Sequence, residues 1–552
     1  MVTQSDPEPM EHDFITSDVD TDTVDEDEKY HPGPGSSSTS STDLSDGGEE
    51  ETPDLLWRSK NREILWAATN DATFQYKPPG TGLTPGPTRY AVARVGELID
   101  SFELFFTPEI TKIVTEYTNL HGRRTIPKWK DIDSTTMRAY FGLLLLAGVY
   151  RSRSEATRSL WDHQTGRHIF RATMSVKTFT LISRTLRFDD RQARQRHKDK
   201  MAAVREIWDT WTERLPLMFN PAVDVCVDEQ LVPYRESCEF RQYMPRKPAR
   251  YGIKMWVTCD VKTSYAWRVS VYTGRVADAP AEKQQGRRVV LEMTEGLKGV
   301  TVTCDNFFSS YGLAEELLRR KIAMVGTMRK NRAELPSRLM RIEGREVLSS
   351  VFAFTPTHTL VSYVPKRGKN VILLSTKHRA PEIDRGEKKK PKIILDYNSC
   401  KGGVDTMDTM IATYSCRRRT RRWPLALFFN MLDISGINAY IVWTAICPTW
   451  HRGKSHRRRL FLEELGKKLV TPQMARRQHL PQAPGAVSLV LEAQASSTPT
   501  KDPTSTPRTT HTRMRKQCVL CPTRKVVLCT CRKCGKHVCK DHYDTICTSC
   551  LS

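Results

Sequence analysis

The chain reads as a multidomain α/β protein, and three features of the sequence lead there. A helical periodicity of three to four residues runs from about residue 90 to residue 215. It gives way at Val223 to alternation of apolar and polar side chains, the period of a strand. Eight of the fifteen cysteines then crowd into the final 35 residues, too close together for an ordinary core. The 552 residues leave room for roughly three or four domains.

Taken in order, residues 1–54 hold 17 acidic residues and one lysine, a local charge of −16. Rich in Ser, Thr and Gly, they cannot bury enough apolar surface to offset the entropy of ordering, and disorder is expected. This stretch is either a solubilising tail or a segment that folds back on the basic body. Residues 55–88 form a connector punctuated by Pro78, Pro79, Gly80, Gly82, Pro85, Gly86 and Pro87. In the helical block, 89–222, Val95, Leu98, Phe102, Phe105 and Phe106 recur at helical spacing. So do Met137, Tyr140, Phe141 and Leu144, behind a helix start at Asp133-Ser134.

The core, 223–331, opens with Val223, Val225 and Val227 alternating with Asp224, Cys226 and Asp228. Two strands follow at 254–261 and 265–272, around the turn Lys262-Thr263-Ser264. Residues 287–297 are helical, and 300–304 form a strand ending at Asp305. Ser309 and Ser310 cap a helix to Arg320, and 323–328 is a further strand. The order β-β-β-α-β-α-β, a meander followed by α-β alternation, suits an RNase-H-like layout. Residues 332–391, with short β-like runs at 360–364 and 371–375, read as an insertion. Residues 392–414 return to the core, 415–480 resume the helical pattern, 481–515 are a Pro/Ser/Thr/Ala linker, and 516–552 are a cysteine-rich module.

The net charge is +23, so the residues beyond the acidic tail carry about +39. A body that basic calls for a polyanion, and nucleic acid is the default partner. The acidic N-terminal stretch has no apolar segment, so no secretory leader is expected and the protein is expected inside the cell. The longest plainly apolar run, 140–150, is eleven residues, too short for a bilayer. The longer stretch 425–446 is interrupted by Asn430, Asp433 and Asn438 and is expected to be a buried amphipathic helix rather than a membrane span. Gly453-Lys454-Ser455 lacks the glycine a phosphate-binding loop needs at position 448, so no nucleotide cofactor is expected.

Four carboxylates carry the chemistry. Asp228 and Asp305 stand at predicted strand ends, where side chains open onto a cleft. Asp405 and Asp408 follow Lys401-Gly402-Gly403-Val404 at a helix start, and their i, i+3 spacing puts both on one face. Two-metal phosphoryl transfer needs such carboxylates from several elements, with Mg²⁺ on oxygen ligands. Any one of them alone is more often a cap or turn residue.

Longer segments carry a resemblance. Val227-Asp-Glu-Gln-Leu, Val302-Thr-Cys-Asp-Asn-Phe-Phe-Ser-Ser310, Tyr397-Asn-Ser-Cys-Lys-Gly-Gly-Val-Asp-Thr-Met-Asp408 and Arg421-Arg-Trp-Pro-Leu-Ala-Leu-Phe-Phe429 resemble the piggyBac transposase family. So do Lys128-Trp-Lys-Asp-Ile132 and Lys247-Pro-Ala-Arg-Tyr-Gly-Ile-Lys254, in order over residues 95–465 and with the terminal cysteine module. The resemblance implies an RNase-H-like catalytic core with an insertion, and a helical dimerisation and DNA-binding domain built from sequence on both sides of it. It implies catalytic, Mg²⁺-holding aspartates at Asp228, Asp305 and Asp405, with a fourth at Asp408, and two Mg²⁺ per site. The family cuts an element from double-stranded DNA and joins it at TTAA targets through hairpin ends, without a nucleotide cofactor. The implied protein is a nuclear homodimer. The alternative is a domesticated, piggyBac-derived DNA- or chromatin-binding protein without transposition activity.

In the final module Cys518/Cys521, Cys531/Cys534, Cys539/His542 and Cys547/Cys550 make four ligand pairs. They fit two tetrahedral Zn²⁺ sites in a cross-brace, with pairs one and three on one ion and two and four on the other. Cys529 and His537 are left over, and either could replace a neighbour. Closed zinc sites staple the module's fold, and the resemblance implies that it binds the element's terminal DNA. Among the basic runs, Arg417, Arg418, Arg419, Arg421 and Arg422 follow the carboxylate helix and are the candidate phosphate contacts, with Lys254. Arg452–Arg459 and 388–392 read equally well as solvated faces or import signals. Trp423, with Pro424 opening a helix, is expected to pack rather than stack on a base.

Overall fold

The computed structural model describes residues 55–70, 82–194, 199–274 and 282–497, and the backbone of 529–530, 537–538, 543–544 and 546–547. The chain divides into two units, residues 1–496 and 497–552. In the second, two short antiparallel hairpins are described, pairing 529–530 with 537–538 and 543–544 with 546–547. Of the expected zinc ligands Cys518, Cys521, Cys531, Cys534, Cys539, His542 and Cys550 lie outside the described residues, and only the backbone of Cys547 is described. The acidic tail 1–54 also lies outside them.

In the first unit the strands are, in chain order, β1 (Leu56–Arg58), β2 (Leu65–Ala67), β3 (Gly86–Pro87), β4 (Phe219–Asn220), β5 (Asp224–Pro233), β6 (Arg241–Tyr243) and β7 (Tyr251–Asp260). Then come β8 (Ala266–Val271), β9 (Thr301–Cys304), β10 (Ala323–Thr327), β11 (Ser350–Phe354), β12 (Thr359–Tyr363) and β13 (Val371–Ser375). All but the small β3–β4 pair join one eleven-stranded sheet in the order β1-β2-β11-β12-β13-β10-β9-β5-β7-β6, with β8 also on β7. At its centre β5 runs antiparallel to β7, β7 antiparallel to β8, and β5, β9 and β10 run parallel. The helices Gln285–Met293 and Tyr311–Arg319 make the two crossovers, as the alternation of the sequence predicts. Strands with helices on their faces lose the polar half of the pattern. Accordingly every residue of β9 and the first four of β10 are buried.

Residues 332–391 extend this sheet rather than stand apart from it. β11, β12 and β13 form an antiparallel ladder, and β13 continues it onto β10 at Val325↔Ser375. Part of the expected 55–88 connector belongs here too. The β1–β2 hairpin closes the sheet's far edge, and the fully buried Trp66 donates from Nε1 to Glu334 O at 3.0 Å. Three-residue strands are too short to leave an alternation that sequence can show. The expected linker at 481–515 is likewise corrected by a helix, Pro484–Ser497. Ala486, Val490 and Ala493 bury one face of it, with Ala483 buried just before it, a stripe that a Pro/Ser/Thr/Ala composition conceals.

Helices from before and after the core pack together. Ser134–Val149 and Arg457–Ala475 approach so closely that a Cβ on Gly142 would stand 2.9 Å from Gly466 O. Between them and the sheet runs Trp423–Ile446, long and apolar enough to cross a membrane but almost wholly buried in the protein. It is buried on every side rather than amphipathic, because its three polar residues reach different neighbours. Asn430 donates to Gln230 Oε1 (3.0 Å), Asp433 accepts from Cys416 N (2.8 Å), and Asn438 exchanges two bonds with the Ala266 backbone (3.0 Å each). Trp423 packs edge-on against Phe240 as expected.

Candidate active site

The parallel register of β5 and β9 builds the site. Val227 pairs with Cys304, so Asp228 and Asp305 are the next residues along two adjacent strands and face the same way. Asp228 Oδ1 accepts from Glu229 N at 2.8 Å, and Asp305 Oδ1 from Phe307 N at 2.9 Å. Asp305 ends its strand as the sequence predicts. Asp228 does not, because β5 continues to Pro233 on its pairing with β7 alone. Since β9 stops at Cys304, one edge of β5 is uncovered from Asp228 onward, and side chains of both faces meet there.

The helix Gly403–Thr413 lies over this edge. A side chain at Gly403 would stand 3.1 Å from Cys226 Cβ and 3.6 Å from Cys259 Cβ, so glycine lets the helix seat on β5 and β7. Val404 and Met407 are buried beneath it. Asp408 accepts from Gln230 Nε2 at 2.5 Å, and Gln230 is in turn held by Asn430. Asp405, one turn earlier, is 68% exposed.

Two lysines and a glutamate complete the cluster. Lys247 Nζ lies 3.8 Å from Asp405 Oδ1 and 3.9 Å from Glu229 Oε1, and it donates to Glu229 O at 3.2 Å. Lys254 Nζ lies 3.7 Å from Glu229 Oε2 and 4.2 Å above the Trp256 ring, which stacks on Phe307. Burial, then the charges of Glu229 and Asp305, push the Asp228 carboxyl well above the usual range. Burial and Glu229 bring Asp305 to about 6, and burial brings Asp408 to about 7 against the pull of the Gln230 bond. Burial opposes the charge of Lys247, but Asp228, Glu229, Asp405 and Asp408 outweigh it and raise its pKa. At Lys254 burial prevails and the pKa falls.

The structure thus joins Asp228 and Asp305 directly, and reaches Asp405 through Lys247 and Asp408 through Gln230. Among the described residues no three His, Cys, Asp or Glu side chains converge closely enough to hold a metal ion. The donor set nonetheless fits a hard divalent cation. It consists of carboxylate oxygens, and burial disfavours the charged form of Asp228, Asp305 and Asp408, a cost that a bound cation would offset. Glu229, Gln230 and Lys247 escaped the sequence reading. Strict alternation puts Glu229 on the face opposite Asp228, and only the early end of β9 brings it into the site.

The arginines divide by their partners. Arg418 donates to Glu155 O (2.7 Å), Ser152 O (2.5 Å) and Thr157 Oγ1 (3.2 Å), and Arg422 to Leu186 O (2.8 Å) and Ser183 O (2.6 Å). These half-buried groups tie the segment to the helical body, satisfying carbonyls at the end of the helix Val176–Thr185 and in a nearby turn. Arg417 is half-buried and donates to Pro233 O at 3.2 Å. Arg419 and Arg421 are exposed.

Comparison with known proteins adds to this geometry. A family model described as "Transposase IS4" matches residues 99–440. The human "PiggyBac transposable element-derived protein 3" is 25% identical over 357 residues, 60% of this chain and 59% of that protein. The human "Chimeric ERCC6-PGBD3 protein" matches at 25% over the same length, 33% of its own chain. The match therefore spans less than two thirds of either relative. Among solved structures, a piggyBac transposase in a synaptic complex with hairpin DNA superposes with a TM-score of 0.70 at 31% identity. The superposition covers 85% of this chain and all of that one.

Proposed function

This chain belongs to the piggyBac transposase family, and we propose that it is a DNA transposase of that type, cutting and joining strands by phosphoryl transfer at element ends and TTAA targets. The observation that carries the reading is the placement of Asp228 and Asp305 side by side on parallel strands, both with raised pKa values. The strand order around them, a meander followed by two parallel strands, supports an RNase-H-like catalytic core. Asp228, Asp305 and Asp405 would hold two Mg²⁺ ions, with Asp408 behind them. Bound there, the ions supply charge stabilisation to the attacking and departing oxygens.

The chain's own groups do the positioning. Asp408, held by Gln230, which Asn430 holds in turn, fixes the helix that carries Asp405. Lys254, fixed over Trp256, sets a positive charge beside Asp228 and Asp305, where a phosphate would lie. In the first step a water oxygen attacks the phosphorus at the element end, and the 3′ oxygen departs with a proton. The freed 3′ hydroxyl then gives up its proton and attacks a phosphorus of the opposite strand, which closes the hairpin, or of the target DNA, and in each case the attacked strand's own 3′ oxygen departs with a proton. The protein acts as a nuclear homodimer. Residues 516–552 fold around two Zn²⁺ on the four ligand pairs and bind terminal DNA.

The test uses a donor plasmid with the element ends between TTAA sites. Wild type should excise the element and restore one TTAA, and Asp305→Asn should bind the ends but leave them uncut. A second reading, a protein that binds DNA without transposing, is favoured by one observation: Asp405 is turned outward and paired with Lys247. Tight binding to the ends by wild type without excision would support it.

A further inference from the structure

Lys247 occupies a position that the proposed ligand set does not require. It comes from the loop between β6 and β7 and reaches the point where the helix of Asp405 meets the open edge of β5. Its ammonium contacts Asp405 Oδ1 at 3.8 Å and Glu229 Oε1 at 3.9 Å, and its side chain is only 23% exposed. Five carboxylates gather here, those of Asp228, Glu229, Asp305, Asp405 and Asp408, against the two ammonium groups of Lys247 and Lys254. Of the two lysines, only Lys247 pairs with a residue of the carboxylate helix.

We propose that Lys247 is a displaceable counter-ion: it pairs with Asp405, and transfers to a phosphate oxygen of the DNA strand when a divalent cation binds that carboxylate. A divalent ion on Asp405 and an ammonium within 4 Å of the same oxygen repel one another, which favours release of the ammonium. Lysine suits the exchange, being a compact charge on a flexible stem with three rotatable donors, whereas an arginine fork would be fixed by its geometry. The exposure of Asp405 leaves it free to turn toward Asp228 once released. Displacement by the cation stands on the geometry, and transfer to phosphate rests on the phosphoryl-transfer reading.

The experiment is a Mn²⁺ titration of the full-length, zinc-loaded protein without DNA, read from the free-ion electron paramagnetic resonance signal. Wild type, Lys247→Gln and Lys247→Arg are compared, with thermal unfolding recorded for each. Removing the competing charge should tighten Mn²⁺ binding by at least about tenfold in Lys247→Gln, and Lys247→Arg, whose fixed fork resists displacement, should bind Mn²⁺ no more tightly than wild type. Unchanged or weaker binding in a folded Lys247→Gln, or no Mn²⁺ bound by either protein, overturns displacement. With DNA present, Lys247→Gln should cleave at a lower metal concentration but with a maximal rate reduced at least about tenfold. A maximal rate equal to wild type overturns the transfer to phosphate. If wild type binds Mn²⁺ but cleaves nothing, the transposase reading and the transfer fail together, and the titration still decides displacement.

Discussion

Replacing Asp408 with Asn tests whether the carboxylate cluster is assembled against its own charge. In the folded protein Asp408 has a pKa of about 7 where 3.8 is ordinary, mainly because burial disfavours its charge. Between those values the folded chain retains a proton that the unfolded chain has released. Stability attributable to this group is therefore complete below pH 4 and falls as pH rises toward 7. The difference is worth about 4 kcal/mol, taken as an upper bound because Lys247 can shift to meet the new charge. Asparagine keeps the oxygen that accepts from Gln230 Nε2 and carries no charge. Unfolding of zinc-loaded protein without added Mg²⁺, followed by tryptophan fluorescence, should find the variant only slightly more stable at pH 5, where about a third of the difference has developed. At pH 8 the variant should be more stable, by a few degrees in Tm. Parallel pH profiles, or a variant less stable at pH 8, would refute the reasoning.

Other consequences concern the frame around the site. Arg418→Ala leaves the carbonyls of Ser152 and Glu155 without their donor and should cost about 2–3 kcal/mol, measured by urea unfolding at low and high salt alike. Arg419→Ala and Arg421→Ala should leave stability unchanged, and each should reduce the salt slope of DNA binding by about 1. Gly403→Val pushes methyl groups into Cys226 and Cys259, so it should cost about 1–3 kcal/mol and cut strand cleavage at least about tenfold, with DNA affinity retained in a filter-binding assay. Chelation should release about two Zn²⁺ per chain and weaken binding to terminal DNA; a metal-release titration yielding none would remove the cross-brace.

Alternating valines announce β5, and Asp305 is legible as the last position of a short strand, because these elements are set by local pattern. The helix Gly403–Thr413 is equally plain in its glycine pair and i, i+3 aspartates. What escapes is whatever a distant segment decides. Trp66 joins the sheet through the distant pairing of Ala67 with Phe354, with Glu334 offering its ring a carbonyl, and Glu229 enters the site where β9 ends early. Arg418 and Arg422 look like phosphate contacts in a run of charge, yet carbonyls from residues 152–186 engage their guanidinium groups. The Pro484–Ser497 helix hides because alanines bury little surface, and its glycine at 485 matters only against His168. Lys247 sits within a segment that carries the family resemblance, but no spacing rule ties it to Asp405, which lies far along the chain.

The most direct test of the central claim is cleavage of the element's own terminal DNA, with TTAA flanks, by wild type and Asp228→Asn in the presence and absence of Mg²⁺. The expected result is nicking at the element end followed by hairpin formation, by wild type and with Mg²⁺ only, while both proteins bind the DNA equally. Binding without nicking by the wild type, or nicking that survives in Asp228→Asn, would contradict it.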